Sequence, residues 1–161
     1  MLARLVGLPI SNVCCDDSYM DDRDGAAAAP PLVADAQMPD RVDSVPAARS
    51  FLTKLLDGWG VADQVIDDAS LLATELMSNA VEHGSGAVNL EIALHDGLLR
   101  VGVHDRAVEL PVMGDVTETG LDGRGIWLVQ SIARDWGTDS SGEEPGKTVW
   151  FELTTLRTPS G

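Results

Sequence analysis

Glu75-Leu76-Met77-Ser78-Asn79-Ala80-Val81-Glu82-His83-Gly84 sets a carboxylate and a carboxamide four residues apart in a helix-like segment. Residues at that spacing share one face of a helix. Asn is a mediocre helix former, so packing alone gives little reason to place one mid-helix. Its side-chain carbonyl suits Mg²⁺, which binds through few protein groups plus phosphates. The neighbouring carboxylate could handle a proton. The combination suggests nucleotide chemistry built on a helix rather than on a phosphate loop.

The helix carrying this stretch is expected from about Ala62 to Glu82. Ile66, Ala69, Ala73, Leu76, Met77, Ala80 and Val81 form its apolar face, with Glu75, Ser78, Asn79 and Glu82 opposite. A solvated polar face is the plainer reading of that second side. Leu71 and Leu72, placed one turn earlier on the polar side, argue instead for the floor of a pocket. His83 suits the helix end, where a cation is favoured. Gly84 and Gly86 close the helix.

An earlier helix opens after Asp43, with Ser44 as N-cap and Pro46 in its first turn. Ala47, Phe51, Leu52 and Leu55 give its period, and Gly58 and Gly60 stop it. Val88, Leu90, Ile92 and Leu94 alternate as a strand. His95-Asp96-Gly97 makes a tight turn into a second strand with Leu99, Val101 and Val103. Residues 106–124 are rich in turn formers. A short helix follows from Gly125 with Ile126, Leu128, Val129 and Ile132. Asp135 to Thr138 and Lys147 to Leu153 read as a closing strand pair. The pattern implies an α+β, two-layer sandwich: a small mixed, largely antiparallel sheet with about three helices on one face.

At 161 residues the chain suits one folded domain. Residues 1–40 hold Asp16, Asp17, Asp21, Asp22 and Asp24, then Ala26 to Pro31, and are expected to be a mobile acidic tail. An edge strand is expected near 32–38. The domain is placed at 41–155, with a short tail at 156–161. The net charge of −15 leaves no basic surface for direct nucleic-acid binding and fits a basic partner or simple solubility. No apolar run reaches membrane-spanning length. The adjacent pair Cys14-Cys15 is too little for a usual metal site or disulfide framework, and a cytoplasmic location is expected.

Three further stretches carry chemistry. Asp105 continues the two-residue phase of Leu99, Val101 and Val103, so it points inward, where a carboxylate needs a hydrogen-bond donor. The exocyclic amine of adenine would be one; an ordinary strand-ending Asp is the bland alternative. Gly120 to Ile126, with Gly123-Arg124-Gly125, offers close backbone approach and a helix start suited to phosphate oxygens. A flexible loop is its plainer reading. Gly146-Lys147-Thr148 imitates the end of a P-loop. Ser141 stands where that motif needs glycine, and Val149 to Leu153 reads as a strand, so a P-loop is rejected. The glycine loop also lacks dinucleotide-fingerprint spacing.

Taken in order, these stretches resemble the GHKL (Bergerat-fold, histidine-kinase-like) ATPase superfamily. More narrowly, they resemble the bacterial anti-sigma regulatory factors with serine-protein kinase activity. The likeness spans roughly Asp43 to Leu153. Glu75 to Gly84 looks like the N box. Asp105 matches the adenine-reading aspartate, Gly123-Arg124-Gly125 the glycine box, and Gly146 to Phe151 the closing strand, with Thr148 near the adenine.

The resemblance implies ATP and Mg²⁺ as cofactors. Asn79 would hold the metal, and Glu75 would be the catalytic base activating a Ser/Thr hydroxyl or water. Asp105, Gly123, Arg124, Gly125 and Thr148 would line the nucleotide site. A lid from about Met113 to Arg124 would close over ATP. It implies a sigma factor as the sequestered partner, an anti-anti-sigma antagonist as the phosphorylated one, and a homodimer. A binding switch without significant phosphotransfer, or an ATPase domain with another partner, are the alternatives. Residues 105–109 lack the Asp-x-Gly-x-Gly of many superfamily members.

Overall fold

In the computed structural model, residues 30–107, 124–140 and 145–155 are described, with the backbone alone at 124–127. Eight elements run in the order β1 (Leu32–Met38), α1 (Ser44–Gly58), α2 (Asp63–His83), β2 (Val88–His95), β3 (Leu98–Asp105), α3 (Arg124–Ile132), β4 (Asp135–Asp139) and β5 (Lys147–Thr154). The five strands form one sheet in the order β1-β2-β3-β5-β4. Every pairing among the described strands is antiparallel, so the sheet is not mixed there.

Strand alternation puts one row of each strand on the helices. Ala36 and Met38, then Val88, Leu90 and Ile92, then Leu99, Val101 and Val103, and finally Phe151 and Leu153 are buried. They form a single core with Leu52 and Leu56 of α1, Leu72 and Met77 of α2, and Val129 of α3. This gives two layers, with the helices against one face. The other face is polar. There Arg100 lies 3.8 Å over the Trp150 ring and pairs with Glu152 and Asp139.

The β2–β3 turn is set by Asp96 (φ 48°) and Gly97 (φ 73°). Two successive residues of positive φ match the right-handed strand twist of a two-residue hairpin. The turn fixes the β2–β3 register, which pairs Leu90 with Val103 and Ile92 with Val101.

The edge strand expected near 32–38 is present, with Leu32 to Met38 pairing with Leu94 to Val88, so the folded unit starts before residue 41. Two local expectations need correction. Ser44 is the first residue of α1 and not its cap; its hydroxyl donates to the Pro39 carbonyl at 2.6 Å. Leu72 is fully buried in the core, while Leu71 is exposed. Residues 1–29 of the tail expected over 1–40, with Cys14-Cys15, and the tail at 156–161 lie outside the described residues.

Candidate functional site

Asp105 ends β3, in phase with the core residues Val101 and Val103, and is only 2% exposed. A carboxylate so placed is costly without donors. Its Oδ1 accepts from the Ala107 backbone N–H at 2.7 Å and from Lys147 Nζ at 3.1 Å. Lys147 opens β5 directly opposite Asp105 in the ladder. Both side chains are almost wholly shielded, at 8% and 3% exposure. Such a pair is held tightly, because losing either partner would leave a buried charge alone.

Two glycines frame this pair. A side chain at Gly84, just past α2, would strike the Ala80 carbonyl oxygen and lie 3.1 Å from the Asp105 carboxyl carbon. Gly146, at φ 136°, sits against the Asp105 carbonyl and 3.0 Å from Arg106 Cα, as measured from where its Cβ would be. Arg106 N donates to the Ser85 carbonyl at 3.1 Å. The end of α2, the end of β3 and the start of β5 therefore meet at Asp105.

On α2, Leu72, Leu76, Met77 and Ala80 anchor the helix to the sheet. Glu75, Ser78 and Asn79 lie away from that core and are half-buried. Their side is neither core nor open solvent. Among the described residues, no hydrogen-bond partner holds the Glu75 or Asn79 side chain. The Asn79 amide oxygen is a hard donor that fits a Mg²⁺ sharing its shell with phosphates, and it leaves the Glu75 carboxylate, one turn away, for another role. No ready cage of three or more His, Cys, Asp or Glu occurs among the described residues, and Mg²⁺ does not need one. His83 is exposed, its Nε2 3.8 Å from Glu82 Oε2; an exposed pair of that kind contributes little.

Thr148 does not join Asp105. It pairs with His104 across the ladder, and the His104 Nδ1 and Thr148 Oγ1 atoms are 3.0 Å apart. Adjacent strand residues point to opposite faces, so Thr148 stands on the outer face of the sheet. Lys147 holds the position facing the carboxylate. Arg124 and Gly125 form the start of α3. Gly123, and residues 113–123 of the lid expected from Met113 to Arg124, lie outside the described residues. A surface hollow between α1 and α2, lined by Thr53, Lys54, Asp57 and Asp63, is remote from these groups.

Lys147 is the residue that sequence reasoning missed. The signal was present: Lys147, Val149, Phe151 and Leu153 share one two-residue phase, and the last two are core. The same argument that turned Asp105 inward turns Lys147 inward.

Helix α2, which carries Glu75 and Asn79, ends against the inward Asp105 at the tip of β3. The chain belongs to the histidine-kinase-like ATPase family: the model of the histidine kinase-like ATPase domain matches residues 38–153. Among solved structures, it is similar to the RsbU and RsbW domains of Rv1364c from Mycobacterium tuberculosis, with a TM-score of 0.57 and 21% identity. That match covers 78% of this chain and 32% of the other, so this chain spans about a third of that protein's length. The histidine kinase domain of the Erythrobacter litoralis EL346 blue-light activated histidine kinase is 28% identical over 55% of this chain and 43% of that one, with a TM-score of 0.42. No curated protein matches the chain. No helix among the described residues is long and apolar enough to cross a membrane.

Proposed function

We propose that this chain is an anti-sigma regulatory factor: it sequesters a sigma factor and, using Mg-ATP, phosphorylates a serine or threonine of an anti-anti-sigma antagonist. The observation that carries the reading is the pairing of Glu75 and Asn79 on the half-buried side of α2, within a chain that belongs to the histidine-kinase-like ATPase family. The RsbW domain in the structural neighbour is in keeping with it.

In this reading Asn79 would hold Mg²⁺ through its amide oxygen, and the metal would supply charge neutralisation for the phosphates. Glu75 takes the proton of the attacking hydroxyl. The hydroxyl oxygen bonds to the γ-phosphorus, and the bond from that phosphorus to the ADP oxygen breaks. Asp105 would contact the base, and Arg124 and Gly125, at the start of α3, would lie toward the phosphates. Thr148, on the outer face, takes no part in base contact.

The test is incubation of the full chain with Mg-ATP and its cognate antagonist, followed by mass spectrometry for phosphoserine or phosphothreonine. Glu75→Ala is expected to reduce transfer at least about a hundredfold, the range of a positioned base. Transfer at the parent rate in that variant would remove Glu75 from the mechanism. The absence of glycines after Asp105, where the chain reads Asp105-Arg106-Ala107-Val108-Glu109, favours one second reading, a partner switch with weak transfer. Nucleotide-dependent capture of the sigma factor without phosphorylation of the antagonist would select it.

A further inference from the structure

The Lys147–Asp105 pair changes what the end of β3 can offer a nucleobase. This step rests on the proposed reading of Asp105 as the base-contacting carboxylate. A lone carboxylate only accepts hydrogen bonds, so it suits an exocyclic amine and repels a keto oxygen. Here Oδ1 already takes Lys147 Nζ at 3.1 Å and the Ala107 N–H at 2.7 Å. Among the described residues no donor reaches Oδ2. An ammonium has further donors beyond the one given to Asp105. The pair thus sets an acceptor oxygen beside a cationic donor.

A 6-keto purine presents the complement of that arrangement. Its ring N–H donates to the carboxylate, and its keto oxygen accepts from the ammonium. Adenine offers an amine and a ring nitrogen, which is a weaker acceptor for a cation than a keto oxygen. The near-complete shielding of both side chains makes charge-assisted bonds count more than they would in water. Gly84 and Gly146 pack closely around Asp105 from two sides, so the pair has little room to part.

We infer that Lys147 is a specificity-determining residue of the base site, admitting 6-keto purine nucleotides within a few-fold of adenine nucleotides. Calorimetric titration of the full chain with Mg-ATP and with Mg-GTP tests it, alongside Lys147→Met and Lys147→Gln. Removing the ammonium can unfold the chain by leaving Asp105 unpaired. Lys147→Gln keeps a neutral donor to Asp105, and the parent chain alone already gives a decisive ratio.

The parent is expected to bind Mg-GTP no more than a few-fold weaker than Mg-ATP. Each folded variant is expected to shift that ratio at least about tenfold toward ATP, the worth of one hydrogen bond to a charged group. A parent that prefers ATP by more than about tenfold, or variants that keep the parent ratio, overturns the inference and leaves ATP binding intact. If neither nucleotide binds the parent, the proposed nucleotide-dependent function falls and the inference with it.

Discussion

Glu91 shows how a single side chain on the polar face of the sheet couples to pH. It stands on β2, with Oε1 accepting from Asn89 Nδ2 at 3.3 Å, and its Oε2 would lie 3.7 Å from a side chain's Cβ at the buried Gly102. Burial pushes its carboxyl above the ordinary value of 4.5, and Asp35 adds to the rise; His104, the Asn89 hydrogen bond and Arg100 oppose it. The folded chain therefore holds the Glu91 proton more tightly than the unfolded chain does. The stability this group contributes is complete below about pH 4.5 and is lost as pH rises through the raised value. Glu91→Gln keeps an acceptor for Asn89 without the charge. Its urea midpoint should exceed the parent's at neutral pH, and the gap should close in acid below 4.5. A gap of equal size at both pH values would show that ionisation is not its source. At the same scale, Asp105 was legible as an inward residue because its strand alternates cleanly. Its partner was not, because a lysine at a strand start reads as a solvated charge until the β3–β5 register is known. That register joins positions 42 residues apart, and no local pattern encodes it. Thr148 was misplaced for the same reason: a motif gives neighbours in sequence, while the pleat decides which of two neighbours faces the site.

At the scale of elements, α2 and the β2–β3 hairpin were the most readable parts. A long apolar stripe and an Asp-Gly turn each carry their geometry locally. β1 was harder to place because it lies among acidic, alanine-rich and proline-rich residues, and because an edge strand needs only one buried row. That row is Ala36 and Met38, at 7% and 6% exposure. Deleting residues 1–38 would remove both, together with the whole ladder from Leu32↔Leu94 to Met38↔Val88. Loss of a buried methionine side chain alone costs about 2–5 kcal/mol. The deletion would also bare the hydrogen-bonding edge of β2, and an exposed edge invites pairing between chains. The shortened chain is expected to melt at least several degrees lower, or without a cooperative transition, and to scatter light where the parent does not. A melt that matches the parent, from a monodisperse sample, would show that β1 contributes nothing to the fold.

At the scale of the whole molecule, the charge of −15 was visible from the start, but its use depends on where it sits. Only seven of the 26 acidic residues fall within the first forty positions, so most of the negative field belongs to the family-matching region. Several of those groups ring α1 and α2: Asp57, Asp63 and Asp67 are exposed there. A field of that sign accelerates encounter with a basic partner and slows approach of an acidic one. Capture of the sigma factor proposed above should therefore be steered mainly by charge if the sigma surface is basic. Its association rate should fall at least about tenfold as salt is raised from about 50 mM to about 500 mM, because the screening length shrinks severalfold over that range. Dissociation should change far less, since close contacts at a formed interface are screened weakly. Stopped-flow or surface-based kinetics at several salt concentrations separates the two rates. The same measurement on a chain with the acidic residues at 16, 17, 21, 22 and 24 neutralised should keep most of the salt dependence, because the larger share of charge lies elsewhere. A salt slope that vanishes in that variant would place the steering field in the first forty residues and not in the ATPase domain.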